Sequence, residues 1–205
     1  MKGAKVYLLL GAMLLLVGRQ DPAGAITLGL QPASQSVSAG NALAVDVVVS
    51  GLASASEIVS AFELNISYDP NILAATAVTF GTLLGDEALF ESITGSTLTP
   101  GNVELAETSL LADSALALLQ SDSFTLATVS LKAIAAGSTD LVFVPDPVFG
   151  IDVKGRNATI LTLNVSAAGV SVTGSPSAAP EPATLALVGL GIVGMGYQRR
   201  RPMSA

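Results

Sequence analysis

The fold class of this chain is decided by residues 61–70, which read AFELNISYDP. Apolar Phe62, Leu64, Ile66 and Tyr68 alternate with polar residues, so they share one side of an extended chain. The proline that closes the stretch has no N–H to donate to a neighbouring strand and therefore ends it. The pattern predicts a β-strand with one face in a hydrophobic core and the other in solvent.

The same alternation recurs on both sides of this strand, and Gly, Pro and Asn punctuate it at short intervals. Many short strands separated by turn residues are typical of a β-sandwich, so we predict an all-β fold. The predicted strands are Ile26–Leu30, Leu43–Val49, Ala61–Tyr68, Ile72–Phe80, Ala88–Ile93, Asn102–Thr108, Phe124–Ala133, Asp140–Val144, Val148–Val153, Ile160–Ser166 and Gly169–Thr173.

One segment departs from the strand pattern. Residues 110–119 are rich in Ala and Leu, and Leu111, Ala115, Leu118 and Leu119 fit one face of a short helix. We expect this helix to cover an open end or edge of the sandwich.

Composition excludes several functions. The chain has no histidine and no cysteine, which removes the usual general base, thiol catalysis, disulfides and zinc-thiolate sites. Residues 26–174 contain three basic and fourteen acidic residues, a net charge of −11. Nucleic acid is not an expected partner, because binding to phosphates requires Lys and Arg.

A set of motifs in residues 26–173 resembles the cohesin modules. They are Gly40-Asn41 before a valine-rich strand, Phe62–Ile66 followed by Ser67-Tyr68-Asp69-Pro70, then Leu73, and Leu126-Ala127-Thr128-Val129 before Ala136-Gly137.

The resemblance implies a jelly-roll β-sandwich of about nine strands that binds a protein partner, with Tyr68, Asp69 and Pro70 forming a cohesin-like turn. Cohesins capture dockerins, which are calcium proteins, and they are related in fold to certain carbohydrate-binding modules. Dockerin binding is not carried over to this chain, because the contacting positions lie on a sheet face that the sequence alone does not register.

The first 25 residues have the features of a secretory signal peptide. Lys2 and Lys5 precede an apolar core at residues 6–17, and Ala23 and Ala25 supply the small residues of a cleavage site. We expect the mature chain to begin at Ile26, so that residues 26–174 form the domain.

The C-terminal tail has three features in a fixed order. After a linker at residues 175–179, the motif Pro180-Glu181-Pro182 is followed by an apolar segment at residues 183–197 and then by Arg199-Arg200-Arg201. Apolar segments enter membranes, and arginines remain on the cytoplasmic side. The 15 apolar residues are fewer than the roughly 20 that cross a bilayer comfortably, which predicts a marginal transmembrane helix.

Residues 180–205 resemble the PEP-CTERM sorting signal of exported bacterial proteins, which has these three features in this order. The resemblance implies processing by an exosortase-type enzyme. The protein would pass through an inner-membrane intermediate to the cell surface or the extracellular matrix.

Neither catalysis nor a cofactor is expected of the domain. Glu104 and Glu107 are three residues apart, so on a regular strand they face opposite sides. Acids also stand near predicted turns, where hard oxygen ligands suit calcium, but no EF-hand-like loop is present and we expect these acids to be solvated. They are Asp86, Glu87, Asp140, Asp146 and Asp152.

The phenylalanines of the domain lie in apolar β segments, which favours a core position over a sugar-stacking platform. The sequence therefore predicts an exported, non-enzymatic protein of the envelope or extracellular matrix with a protein partner. The alternative is a module that binds secreted polysaccharide.

Overall fold

The computed structural model describes residues 25–147 and 150–174 of the chain. Within these ranges the fold is a β-sandwich of twelve strands with two short helices, α1 (Leu52–Ala55) and α2 (Asp113–Leu119). The strands are β1 (Ile26–Gln31), β2 (Ser34–Ser38), β3 (Ala42–Ser50), β4 (Ala61–Ser67), β5 (Leu73–Phe80), β6 (Ser92–Thr99), β7 (Asn102–Ser109), β8 (Ser123–Ala133), β9 (Gly137–Val144), β10 (Asp152–Lys154), β11 (Leu163–Ser166) and β12 (Ala168–Thr173).

The described strands form two sheets. The small sheet has the order β11-β1-β3-β8-β5, and the large sheet has the order β2-β12-β9-β4-β7-β6, with β10 paired to the first residues of β4. Antiparallel pairing dominates, but β1 pairs with β11 and β2 pairs with β12 in parallel. The jelly-roll-type sandwich predicted from the sequence is confirmed.

The first and last strand pairs close one side of the sandwich. The chain passes from β1 in the small sheet to β2 in the large sheet, and it makes the same change from β11 to β12. On the other side, β5 and β6 are the edge strands of the two sheets. We call the space between these two edges the seam.

The core lies between the sheets and is built from the inward positions of the alternating strands. In β4 the predicted Phe62, Leu64 and Ile66 are all buried, and the Phe62 ring stacks on Phe80 of the opposite sheet with centroids 6.3 Å apart. Burial of each of these side chains stabilises the folded state by about 1.5–3 kcal/mol relative to leaving it exposed. The twelve largest fully buried side chains are Leu28, Leu30, Leu52, Ile58, Leu64, Ile66, Leu73, Leu84, Leu105, Leu116, Leu126 and Leu131.

The turn at Tyr68-Asp69-Pro70 carries the chain from the large sheet to the small sheet. The Asp69 carboxylate accepts a hydrogen bond from the Asn71 N–H at 2.8 Å. The Asp69 carbonyl accepts from the N–H groups of Ile72 and Leu73. These bonds set the direction in which β5 starts.

Tyr68 links the two edge strands across the seam. Its hydroxyl accepts a hydrogen bond from the Ala75 N–H of β5 at 3.1 Å and donates to the Thr99 carbonyl of β6 at 3.3 Å. The pairing of β5 with β8 shifts register between Ala75 and Ala77, so a side chain, rather than a neighbouring strand, satisfies the Ala75 N–H. The sequence predicted a turn here, and the structure adds this bridge.

The twelve strands observed in the described residues exceed both the eleven predicted from the residue pattern and the roughly nine that the resemblance implied, for identifiable reasons. The first and last strands are each divided between the two sheets, and β10 is a short addition beside β4. Strand β2 was missed because it is mostly Ser and Gln at a sheet edge and has no apolar alternation. The predicted strand at 160–166 starts later, at Leu163. The one predicted at 148–153 is described only from residue 150, with β10 at Asp152–Lys154.

The predicted strand Ala88–Ile93 is wrong. Glu87–Leu89 form a single 3₁₀ turn, and Phe90 follows it in the left-handed region with φ 60°. The sequence pattern predicted a core position for Phe90, but its side chain is 85% exposed. Strand β6 begins at Ser92 and continues through Gly95, which the sequence pattern treated as a break.

The predicted helix at residues 110–119 exists in a shorter form, as α2, and it presents a different face. Leu116 is fully buried, whereas Leu118 is 90% exposed. Gln120 determines this orientation, because its side-chain amide bonds to the N–H and C=O of Val59 and to the carbonyl of Leu83. Gln120 lies four residues after Leu116, so both face the sandwich.

Tyr68→Phe is expected to lower the free energy of unfolding by about 1–3 kcal/mol, because an N–H and a C=O at the seam lose their partner. Urea denaturation of residues 26–174 measures this change. Thr108→Val, which removes an exposed hydroxyl from β7, is the control and is expected to change stability by less than about 0.5 kcal/mol. Equal stability of the Tyr68→Phe variant and the wild type would contradict a structural role for the bridge.

Candidate functional site

The large sheet has more strands than the small sheet, and its outer face carries the candidate site. Alternation in β4 sends Glu63, Asn65 and Ser67 outward, opposite to the buried apolar residues. Cross-strand pairing places Asn65 beside Glu104 of β7 and beside Val144 of β9. We call this surface, formed by β9, β4, β7 and β6, the outer face.

A shallow depression of about 400 Å³ lies in the middle of the outer face. Its floor is low because the two cross-strand partners there are small: Gly95 of β6 pairs with Ala106 of β7, and Ala106 pairs with Glu63 of β4. Thr97 and Glu104 line the next row. The depression results from the pairing register of β6 and β7, which places Gly95 opposite Ala106.

The depression is acidic. Glu63, Glu104 and Asp146 line it, and no basic residue does so among those described. Half-exposed Val142 and Val144 of β9 lie on the same face. The surface therefore offers carboxylates to a cationic side chain and a small apolar area beside them.

Unlike the acidic residues of the depression, Glu107 of β7 is buried on the inner side of the large sheet. As predicted, Glu104 and Glu107 face opposite sides: Glu104 is exposed, while Glu107 points between the sheets and is only 1% exposed. Neither carboxylate oxygen of Glu107 has a hydrogen-bond partner among the described residues. Burial raises the pKa of Glu107 from 4.5 to about 7; a weak interaction with the Ser92 hydroxyl opposes this, and the charge of Glu87 adds to it.

The acids considered for calcium lie in different parts of the fold. Asp152 is buried and pairs with Lys154 at 3.1 Å, and Asp140 lies in β9 next to β12. Asp86 caps the 3₁₀ turn through the Ala88 N–H at 2.9 Å. No group of three or more acidic side chains within residues 25–147 and 150–174 is arranged to hold a metal ion.

The remaining predicted site residues divide into two groups. Tyr68, Asp69 and Pro70 form the turn at the end of the sandwich opposite to α1 and α2, where they have a structural role. The predictions about cleavage, sorting and membrane insertion concern residues outside the described part of the chain, namely Ala23, the motif Pro180-Glu181-Pro182, residues 183–197 and Arg199-Arg200-Arg201. Ala25 is described and lies directly before β1.

Comparison with known proteins agrees with this architecture. The family model of the cohesin domain matches residues 28–168, and the chain therefore belongs to the cohesin family. A second family model, the PEP-CTERM protein-sorting motif, matches residues 178–201. Both resemblances found in the sequence are thus confirmed, and together they support an exported interaction module.

Solved structures show the same fold. A cohesin of Clostridium acetobutylicum, solved in solution, is 24% identical with a TM-score of 0.55, covering 74% of this chain and 94% of that one. The sixth cohesin of scaffoldin B from Acetivibrio cellulolyticus, solved in complex with the Cel5 dockerin, is 12% identical with a TM-score of 0.56, covering 73% and 99%. The cohesin module of a family 33 glycoside hydrolase from Clostridium perfringens is 17% identical with a TM-score of 0.55, covering 74% and 98%.

No curated protein sequence matches the chain significantly. None of the helices in the described part of the chain has the length and apolar character needed to cross a membrane.

The stability of the domain is expected to fall as pH rises from about 4.5 to about 7, the interval between the ordinary and the folded-state pKa of Glu107. In this pH interval the folded protein binds more protons than the unfolded chain, because Glu107 stays protonated only when it is buried. The energetic penalty of a buried charge is therefore absent below pH 4.5 and complete above about pH 7. The full effect is roughly 3 kcal/mol.

Glu107→Gln does not ionise, so this variant is expected to lack that decline and to exceed the wild type in stability at pH 8. Urea denaturation from pH 4 to pH 8 measures both proteins. Glu104→Gln removes an exposed carboxylate from the other face of the same strand and is expected to keep the wild-type profile. Parallel profiles for the wild type and Glu107→Gln would disprove the assignment.

Proposed function

We propose that this protein is an exported, non-enzymatic module that binds a protein partner through the outer face of its large sheet. An exosortase-type enzyme processes its tail, after an inner-membrane intermediate, and the module reaches the cell surface or the extracellular matrix. The depression over Gly95 and Ala106, lined by Glu63 and Glu104, is the observation that supports this use of the outer face.

The chemistry of the outer face limits the partner. A depression lined by carboxylates accepts an Arg or Lys side chain, whose charge the carboxylates neutralise through hydrogen bonds. Val142 and Val144, on the same face, add an apolar contact. The partner is therefore a protein that presents a basic side chain next to an apolar one. A dockerin-type protein is one such class, since the Acetivibrio relative was solved with a dockerin.

Export is supported from both ends of the chain. The PEP-CTERM motif at residues 178–201 belongs to a protein-sorting system. Strand β1 begins at Ile26, the first residue after the predicted cleavage site, so removal of the signal peptide leaves this strand whole. The domain also needs no disulfide in its core, because a continuous cluster of buried apolar side chains packs between the sheets.

Polysaccharide binding is the alternative, and one observation favours it. Phe90 is 85% exposed, and an exposed aromatic ring is a platform on which a sugar ring stacks. Of the other aromatic residues, Phe62 and Tyr68 are buried and Phe80 stacks on Phe62. The alternative thus depends on Phe90, at the helical end of the molecule, and not on the depression.

Ala106→Arg is expected to reduce partner capture by at least about tenfold, a loss of about 1.4 kcal/mol. The new guanidinium fills the depression and pairs with the carboxylates that a partner would use. The immobilised module, residues 26–174, is incubated with the extracellular fraction of the producing bacterium, and captured proteins are quantified by mass spectrometry. A cohesin of C. acetobutylicum of similar extent was solved in solution, which supports the use of the isolated module.

Ala44→Arg is the matched control, because Ala44 is exposed on the outer side of the small sheet. Capture that is equal for the Ala106→Arg and Ala44→Arg proteins would reject the outer face as the binding surface. Binding to secreted polysaccharide that is lost in Phe90→Ala, but kept in Ala106→Arg, would establish the alternative.

Replacement of Pro180, Glu181 and Pro182 together by alanine is expected to leave the unprocessed chain in the inner membrane. Cell fractionation and intact-mass measurement test this outcome, and the same mass shows whether the wild type begins at Ile26. The matched control replaces Ser175, Pro176 and Ser177 by alanine in the preceding linker, and it is expected to be processed as the wild type is. Release of the triple variant with normal mature mass would exclude sorting through this motif.

A further inference from the structure

A second cavity opens in the seam between the edge strands β5 and β6, on the inner side of the large sheet. It has a volume of about 310 Å³, and its lining includes Glu107, Ser92, Thr94 and the turn residues Asp86 and Glu87. The depression on the outer face is separate, because Glu104 faces that side and Glu107 faces this one. Nothing in the proposed function uses the seam cavity.

Glu107 at the inner wall of the cavity has little compensation from the described residues. Its side chain is only 1% exposed and neither of its oxygens has a hydrogen-bond partner among the described residues. The nearby Ser92 hydroxyl donates to the Gly85 carbonyl, at 3.4 Å. A buried, unpaired carboxylate is costly, and proteins normally pair such a group with a cation or hydrogen-bond donors.

A second carboxylate is held at the same cavity. Thr94 donates a hydrogen bond to one oxygen of Glu87 at 2.8 Å, which fixes this side chain toward β6, and its charge raises the pKa of Glu107. The described chain offers no cation to balance the pair. Lys154 contacts Asp152, Arg156 contacts Glu57 and Lys132 is exposed, and none of the three lines the cavity.

We propose that Glu107 and Glu87 bind a calcium ion in the seam cavity, with the hydroxyls of Ser92 and Thr94 as neighbouring oxygen ligands. Calcium takes six to eight oxygen ligands in flexible geometry, and the cavity has room for the waters that complete the set. Magnesium is a poorer fit because it requires a near-ideal octahedron.

The site is expected to be weak and suited to the exterior of the cell. Two carboxylates form fewer charged contacts than a tight calcium loop has, so the dissociation constant is on the order of 10⁻⁴–10⁻³ M, as in extracellular modules. An ion there connects the turn before β6 to β7 and closes this part of the seam, in addition to the Tyr68 bridge at the other end.

Thermal unfolding of residues 26–174 at pH 8, where Glu107 is ionised, tests the proposal. Addition of 10 mM CaCl2 is expected to raise Tm by about 3–6 °C relative to NaCl of equal ionic strength. The same addition at pH 5 is expected to have less effect, because a protonated Glu107 does not ligate the metal. Glu107→Gln is expected to lose the calcium response, and Glu87→Gln to weaken it.

Glu104→Gln is the matched control, since it removes an exposed carboxylate from the opposite face of β7, and it is expected to respond as the wild type does. An unchanged Tm of the wild type in calcium at pH 8 would overturn the proposal. A full calcium response in Glu107→Gln, or an equal response of the wild type to 10 mM MgCl2, would also overturn it.

Discussion

The sandwich depends on how its open side is held together. The parallel pairs β1–β11 and β2–β12 close one side, whereas β5 and β6 meet on the other without hydrogen bonding to each other as strands. At one end of this seam the Tyr68 hydroxyl joins an N–H of β5 to a C=O of β6. Tyr68 directly follows β4 and precedes the turn into β5, so one residue both ends a strand and fixes the spacing of the two sheets.

Strand β7 shows how this fold separates two kinds of chemistry. Its outward residues Glu104 and Ala106 form the acidic depression, while its inward residue Glu107 reaches the seam cavity. The sheet between them keeps the two surfaces apart, because successive residues of a strand face opposite sides. A change on the outer face can therefore leave the seam intact, which makes Glu104 and Glu107 a natural pair of probes.

The sequence predicted those parts of the fold that depend on local pattern. Alternation in β4 identified Phe62, Leu64 and Ile66 as core residues, and the spacing of Glu104 and Glu107 placed them on opposite faces. Predictions from the sequence were wrong where contacts between residues far apart in the chain determine which side chains are buried. Phe90 is exposed because a 3₁₀ turn precedes it, and α2 buries Leu116 rather than Leu118 because Gln120 bonds to Val59 and Leu83.

The candidate sites were not predictable from the sequence, for the same physical reason. The depression requires Gly95 and Ala106 to be cross-strand partners, and these residues are eleven positions apart with no pattern that links them. The burial of Glu107 requires β5 of the other sheet to cover it. Sequence indicates which way a residue faces along its own strand; the register with the neighbouring strands decides what it meets there.

Strand β12 has a mechanical consequence for a chain whose sorting motif follows it. The described chain ends just after Thr173, beside Ser38 and at the end of the sandwich opposite to α1 and α2. Five residue pairs join β12 to β2, and five join it to β9. Tension applied from the tail along the strand direction loads both ladders in shear, so their hydrogen bonds share the force and must break together rather than one after another. The pairing of β12 on both of its edges therefore opposes separation of this strand from the sheet when the chain is pulled from its C-terminal end.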